Sequence, residues 1–286
     1  MGKRSWVCTL ITQISLCFAL FIALNIGRPQ RNPLFEARSN LYFVSVRGGF
    51  RPFKQQTQLL RQLEKAINAY NVKFVIDYSE LGDEDPLLLN ATNYLQSLQV
   101  PWYTATASKR EGANYFLKRV VILHENMLDL IALDTGSLQD STSGAANDQL
   151  HWLTRTLETS NSSWRIVVGL HPMVACNGNI EQMEINQTFV PLHNIFLRYG
   201  VDAYLSGQAC AIRVHNKNAK QLKNAGPVDK GHYLTSLNQR LVFPVVIVNG
   251  FLLHRVNSLE IVTYSISLTG EVVYKISIKR QGNEVM

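Results

Sequence analysis

Side chains that could bind a metal ion occur in an acidic stretch that follows a short apolar run. The run 72–76 is typical of a buried strand, and five carboxylates follow it between Asp77 and Asp85. Two carboxylates can hold one hard cation that keeps several waters. A solvated acidic turn explains the same composition, so both interpretations stay open.

Nucleophilic catalysis would need a serine or cysteine beside a histidine and an acid. Ser206 and Cys210 are candidate nucleophiles and His171 is a candidate base, but nothing in their spacing singles them out. After the leader the chain keeps only Cys176 and Cys210, so it is not a disulfide-dense module. The pair could form one bridge in an oxidising lumen or remain as two buried thiols.

The N-terminal leader, residues 1–28, is the most distinct segment. Residues 6–26 carry no charge and are long enough to cross a hydrocarbon core about 30 Å thick. Lys3 and Arg4 precede them, which favours a cytoplasmic N-terminus. A cleaved signal peptide and an uncleaved signal anchor both fit this pattern, and in either case the rest of the chain is lumenal or extracellular.

N-glycosylation sequons agree with a chain that enters the secretory pathway. Their polar surroundings predict exposed, loop-like positions, and a location that is either single-pass membrane or secreted. The acceptor residues are Asn90, Asn161 and Asn186.

Length and composition predict one large domain after the leader and a polar linker, residues 29–40. The chain has 286 residues and a net charge of +7, which indicates either a basic solvated surface or an anion-binding face. No zinc finger or aromatic-basic motif supports binding to nucleic acid. Predicted strands alternate with amphipathic helices such as 56–70 and 148–159, and β-rich runs follow from Leu241 onward. This order predicts an α/β fold with mixed sheets.

Several motifs resemble the purple acid phosphatase branch of the calcineurin-like metallophosphoesterases. The resemblance covers a domain at residues 41–281 and implies a four-layer αββα sandwich of two mixed β-sheets. It also implies hydrolysis of phosphate esters at a two-metal centre. The matching segments are 101–103 (PWY), 133–135 (LDT), 148–172 (DQLHWLTRTLETSNSSWRIVVGLHP), 201–207 (VDAYLSG) and 249–251 (NGF).

The resemblance implies that most metal ligands are lost. Two metal ions that clamp a phosphate and lower the pKa of a bound water need Asp, Asn, His and Tyr ligands from several loops. Glu80 and Asp83 take two of these ligand positions, and no Asp or Glu lies between Glu36 and Glu64, where the first loop needs one. The other ligand positions fall on Gly48, Ser108, Leu170, Gln208 and Cys210.

These losses predict a catalytically inactive, purple acid phosphatase-like protein with no cofactor. The alternative is an active phosphoesterase with a remodelled site that uses a divalent metal or iron. In the family fold the loops converge, so a disulfide between Cys176 and Cys210 could brace the emptied site. Basic residues on the same loops predict an anion site for a phosphorylated ligand, and a protein partner is the other expectation. The anion-binding candidates are Arg47, Lys109, Arg110 and Arg213.

Overall fold

The computed structural model describes residues 10–18, 40–106, 114–123, 126–139, 144–176, 183–208, 232–236, 241–245 and 250–280. The chain divides into two compact units, Met1–Arg38 and Ser39–Met286. In the first unit, residues 10–18 form a helix. No helix in these described ranges is long and apolar enough to span a membrane. Most of the predicted leader lies outside them, so its role as a signal peptide or anchor stays a prediction.

The second unit contains two six-stranded mixed sheets and a small hairpin. The first sheet has the order β14-β13-β12-β1-β2-β3, with β1, β2 and β3 parallel and the other strands antiparallel. Its strands are β1 (Leu41–Arg47), β2 (Val75–Ser79), β3 (Trp102–Thr106), β12 (Phe251–Val256), β13 (Glu260–Ile266) and β14 (Val272–Lys279).

The second sheet has the order β11-β10-β9-β6-β5-β4, in which β5, β6 and β9 are parallel. The hairpin pairs β7 (Val174–Cys176) with β8 (Met183–Ile185). The strands of the second sheet are β4 (Phe116–Leu123), β5 (Asn126–Ala132), β6 (Trp164–Gly169), β9 (Ala203–Ser206), β10 (His232–Ser236) and β11 (Leu241–Val245).

In the described part of the second unit, four α-helices cover the outer faces of the sheets. The first begins after Pro52 and ends at Asn71, whose positive φ of 51° stops the helix. The last ends at Gly200 in the same left-handed conformation. Each helix is amphipathic and buries its apolar side against a sheet. The helices are α1 (Phe53–Tyr70), α2 (Pro86–Tyr94), α3 (Gly144–Glu158) and α4 (Val190–Tyr199).

Three hydrophobic clusters define the layers of the domain. The central cluster lies between the sheets and includes Phe43 and Tyr78 of the first sheet and Trp164 of the second. A second cluster joins the outer face of the first sheet to α1 and α2, and a third joins the second sheet to α3 and α4. Helix, sheet, sheet and helix therefore stack in four layers, and the predicted α/β sandwich is confirmed.

The parallel strands of the two sheets end at one common edge of the domain. Gly207, just after β9, donates its N–H to Gly169 O at the end of β6 at 3.0 Å. A Cβ atom on Gly207 would lie 2.6 Å from Cγ of Tyr78, a residue of β2 in the other sheet. Loops after β1, β2, β6 and β9 therefore meet, as ligand-binding loops of open α/β sheets do.

Candidate functional site

The loop after β1 has a glycine where the family resemblance expects a metal-binding aspartate. Gly48 N donates a hydrogen bond to Tyr78 O at 2.9 Å, which holds the loop against the end of β2. A Cβ atom on Gly48 would lie 2.7 Å from Asp85 Cγ and 2.9 Å from Asp77 Oδ1, and closer still to Asp85 Oδ2. Real Cβ atoms essentially never make such contacts, so no side chain fits at this position unless a carboxylate moves.

Asp85 fills the space beside that glycine with a buried carboxylate. Its Oδ2 accepts hydrogen bonds from Gly49 N at 2.6 Å and from Ser79 Oγ at 2.5 Å. Its Oδ1 accepts from Leu87 N at 2.7 Å and from Leu88 N at 3.4 Å, in the first turn of α2. These donors satisfy a buried anion. Asp85 therefore joins the first loop, β2 and α2 through its own hydrogen bonds.

Asp77 lies on β2 next to this carboxylate and is also fully buried. Neither of its side-chain oxygens has a hydrogen-bond partner within the described part of the chain. Burial and the neighbouring Asp85 raise the pKa of Asp77 well above its ordinary value, while the Arg51 guanidinium acts in the opposite direction. Asp77 therefore keeps its proton to a higher pH than an exposed aspartate does.

Arg51 folds back over the first loop. Its guanidinium donates to Arg47 O and, at 3.4 Å, to Gly49 O. Burial lowers the pKa of Arg51, and the nearby Asp85 and Asp77 act to raise it. Arg47, one of the predicted anion-binding residues, is half-buried at the end of β1. The structure thus places two guanidinium groups on the same turn.

The loops after β2, β6 and β9 are joined by hydrogen bonds. Glu80 Oε1 accepts from Gln208 Nε2 at 2.8 Å, which links a predicted metal ligand to a predicted lost one. Gln208 N donates to Leu170 O at 2.8 Å. The side chain of Leu170 is buried in the cluster between the sheets, where it packs against apolar residues. The predicted convergence of these loops is therefore present in the fold.

His171 is half-buried and is held by Thr135 and Tyr204. Its Nδ1 lies 2.9 Å from Thr135 Oγ1, its backbone N–H donates to the same oxygen at 3.1 Å, and its carbonyl accepts from Tyr204 O–H at 2.7 Å. Burial lowers the pKa of His171, and the nearby Glu80 and Asp134 carboxylates act to raise it. The ring is therefore positioned at the same edge as Glu80, one residue from the expected ligand position.

The described side chains do not fit the two-metal centre that the fold family implies. Glu80 and Asp83 are exposed, and Leu170 faces the core. Gly48 cannot be replaced by a ligand while Asp85 stays in place. Across the described ranges, no group of three or more His, Cys, Asp or Glu side chains is arranged to hold a metal ion. Binding of a single cation by Glu80 and Asp83 stays a prediction.

Several predicted site residues lie outside the described residues. Cys176 is on β7, but its side chain is not described, so the predicted disulfide stays a prediction. Of the four predicted anion-binding residues, Arg47 is the one that lies within the described ranges. The candidates outside the described ranges are Ser108, Lys109, Arg110, Cys210 and Arg213.

Two of the three sequon asparagines are exposed. Asn161 lies between α3 and β6, as the polar context predicts. Asn90 instead lies within α2 and donates to Pro86 O at 2.7 Å, so the expectation of a loop position is wrong there. Asn186 is half-buried, and its Oδ1 accepts from Thr188 N at 3.2 Å. Their glycosylation stays a prediction.

The sequence analysis did not identify Asp85 and Asp77 as central to this edge. Asp85 precedes Pro86, and an aspartate followed by proline before an apolar run is the usual start of a helix. That signal could have separated Asp85 from the exposed acids around it. Asp77 sits within a strand, where nothing in the sequence distinguishes a buried carboxylate from a solvated one.

Comparison with known proteins establishes the fold. No protein-family model matches the sequence, and no curated protein does either. A solved structure described as GAP50, the anchor in the inner membrane complex of Plasmodium, has a TM-score of 0.58 and 15% sequence identity. The match covers 86% of this chain and 90% of that chain, so the two share a fold over most of their length.

A second solved structure gives a weaker match. It is a conserved uncharacterized protein of Streptococcus pneumoniae TIGR4, described as a predicted phosphoesterase, with a TM-score of 0.33 and 8% identity. The match covers 84% of this chain and 98% of that chain, but the TM-score is too low to carry a conclusion. The fold is a four-layer α/β sandwich, and an assignment to the purple acid phosphatase branch is not confirmed.

Proposed function

We propose that this chain is a non-catalytic protein with a phosphoesterase-like fold, which binds a protein partner or a phosphorylated ligand in the secretory pathway. The observation that carries the proposal is the carboxylate of Asp85 beside Gly48. It occupies the space that a ligand from the first loop needs, and four donors satisfy it. A dimetal mechanism needs that ligand position, because both ions must be held close together.

Two kinds of ligand are supported to different degrees. Arg47 and Arg51 lie on one turn, and guanidinium groups recognise phosphate by paired, charge-assisted hydrogen bonds. Arg51 donates to two backbone carbonyls of this turn, and Arg47 lies half-buried at the end of β1. A protein partner is supported by the shared fold with GAP50, which is described as an anchor in a membrane complex.

Metal content and hydrolysis test the non-catalytic assignment. We expect the purified full chain to contain no stoichiometric iron, zinc or manganese and to hydrolyse a generic phosphomonoester no faster than its Glu80→Ala variant. Glu84→Ala, on the same acidic turn, is the matched control. Stoichiometric metal together with turnover that is lost in Glu80→Ala but kept in Glu84→Ala would instead establish an active phosphoesterase with a remodelled site.

Phosphate binding tests the anion site separately. We expect inorganic phosphate to bind the full chain and to lose most of its affinity in the double variant Arg47→Ala with Lys109→Ala. Arg61→Ala, an exposed arginine on α1, serves as the control that removes one positive charge elsewhere. Binding that survives the double variant, or that falls equally in the control, would exclude a phosphate site on these loops and leave the protein partner.

A further inference from the structure

The turn between β1 and α1 presents two aromatic side chains almost fully to solvent. Phe50 is 85% exposed and Phe53 is 86% exposed, more than any other large apolar side chain among those described. Pro52 lies between them in the sequence, at the N-cap position of α1, and makes no side-chain capping hydrogen bond. Burial of a phenyl ring is favourable, so the exposure of two of them on one turn needs an explanation.

Hydrogen bonds to the backbone of the same turn fix its shape. Gly49 has a positive φ of 98°, and its N–H donates to the buried Asp85 carboxylate. The Arg51 side chain folds back and donates to the carbonyls of Arg47 and Gly49. A turn fixed in this way loses little conformational freedom when its tip binds something.

Positive charge surrounds the two rings in the sequence. The segment from Arg47 to Arg61 carries four cations and no acid, and Lys54 is exposed next to Phe53. The exposed acids nearest in the described part of the sequence, Glu80, Asp83 and Glu84, belong to a different loop, the one after β2.

We propose that Phe50, Phe53 and Lys54 form a docking tip that inserts into a lipid surface with anionic headgroups. Side chains as exposed as these project from the surface, and among the described residues they do not line a groove that a peptide could enter. A bilayer interface accepts projecting aromatic rings, and the Lys54 ammonium is attracted to anionic headgroups in the leaflet that faces the domain. The contact is independent of whether the chain hydrolyses phosphate esters.

Tryptophan quenching tests the tip in the full chain. The variants Phe50→Trp and Leu259→Trp are reconstituted into vesicles of phosphatidylcholine with about 30% phosphatidylserine, part of it brominated on the acyl chains. Leu259 is the matched control, because it is 74% exposed on the turn between β12 and β13. The emission of the four native tryptophans is subtracted with the unsubstituted chain.

We expect the brominated lipid to remove most of the emission of the tryptophan introduced at position 50 and little of that at position 259. The quenching should weaken in phosphatidylcholine alone and when Lys54→Glu is added. Equal quenching at the two positions, or none at position 50, would overturn the proposal. A protein partner at this tip would give that second result.

Discussion

At the scale of single residues, the character of the candidate site depends on which side chain occupies the space beside Gly48. The hydrogen of Gly48 faces two buried carboxylates, one satisfied by Gly49, Ser79 and the start of α2, and the other without a partner. Metal ligands at this edge would have to replace those contacts. The residues present instead form a self-contained polar cluster.

A methyl group at position 48 should destabilise the fold. Gly48→Ala forces a Cβ atom against Asp85 and Asp77, and overpacking of this kind costs typically about 1–3 kcal/mol. Urea unfolding should show a lower midpoint with an unchanged slope. Gly144→Ala is the control, because a Cβ atom there has no atom within 4 Å. An equal midpoint for both variants would contradict the geometry at Gly48.

Asp77 should make the stability depend on pH. Its pKa in the folded state is raised, so its stabilising contribution is complete below the ordinary value near 3.8 and is lost as pH rises through the raised value. Asp77→Asn has no such titration. The free energy of unfolding of this variant should therefore rise relative to that of the wild type as pH increases from 4 towards neutral. The exposed Asp83→Asn is the control. A constant difference between Asp77→Asn and wild type would exclude this titration.

At the scale of secondary-structure elements, one side chain begins a helix and also fixes two loops. Asp85 caps α2 through Leu87 N and Leu88 N, and Pro86 occupies the first helical position. The same carboxylate holds Gly49 and Ser79. The geometry of the edge therefore depends on a helix terminus as much as on the strands.

Removing the cap should cost more than an ordinary helix cap. Asp85→Ala leaves buried donors on Ser79 and Leu87, and a part-buried donor on Gly49, without an acceptor, and each unsatisfied buried group costs about 1–3 kcal/mol. We expect a total loss of at least about 3 kcal/mol in the free energy of unfolding. The comparison is Asn186→Ala, which removes one bond to Thr188 N. Losses of similar size would show that the extra donors contribute nothing.

The sequence predicted the elements whose apolar pattern is long and regular. The predicted helix 56–70 corresponds to α1, which begins three residues earlier, and the predicted run 72–76 overlaps β2. The short strands β7, β8 and β10 were not predicted, because three to five residues carry too little periodicity to be recognised. The end of α2 at Tyr94 and the 3₁₀ turn that follows at Gln96–Leu98 were likewise not predicted.

The site was less predictable than the fold. The absence of an acid near Gly48 could be read from the sequence, because it holds in any register. What replaced the acid could not, because Asp85 reaches the first loop from a position 36 residues away. Contacts at that separation depend on the packing of two loops, which the sequence pattern does not encode.

At the scale of the whole molecule, the domain and the leader make separate predictions. Ser39–Met286 forms one compact unit, and the leader is expected to bring it into the secretory pathway. Full membrane topology depends on residues of the leader outside the described ranges. The sequons on the domain therefore give the more direct test of where the chain is made.

N-glycans should be found at the two exposed sequons when the full chain is expressed in a glycosylating cell. Asn90 and Asn161 have room for a glycan, whereas the side chain of Asn186 is half-buried and bonded to Thr188 N. Mass spectrometry after enzymatic deglycosylation should find Asn converted to Asp at positions 90 and 161, and less at 186. A chain without glycans at all three would argue against a lumenal domain.

The contact between Gly48 and Asp85 also fixes the order in which any change at this edge can occur. An aspartate introduced at position 48 alone meets a filled site and lowers stability before it can coordinate anything. The side chain at position 85 would have to be replaced by a smaller one first, and that substitution removes the N-cap of α2. Each single substitution lowers the stability of the fold, so the effect of a substitution at one position depends on the residue at the other. Engineering a metal ligand here requires substitutions made together, with a new acceptor supplied for Gly49 N.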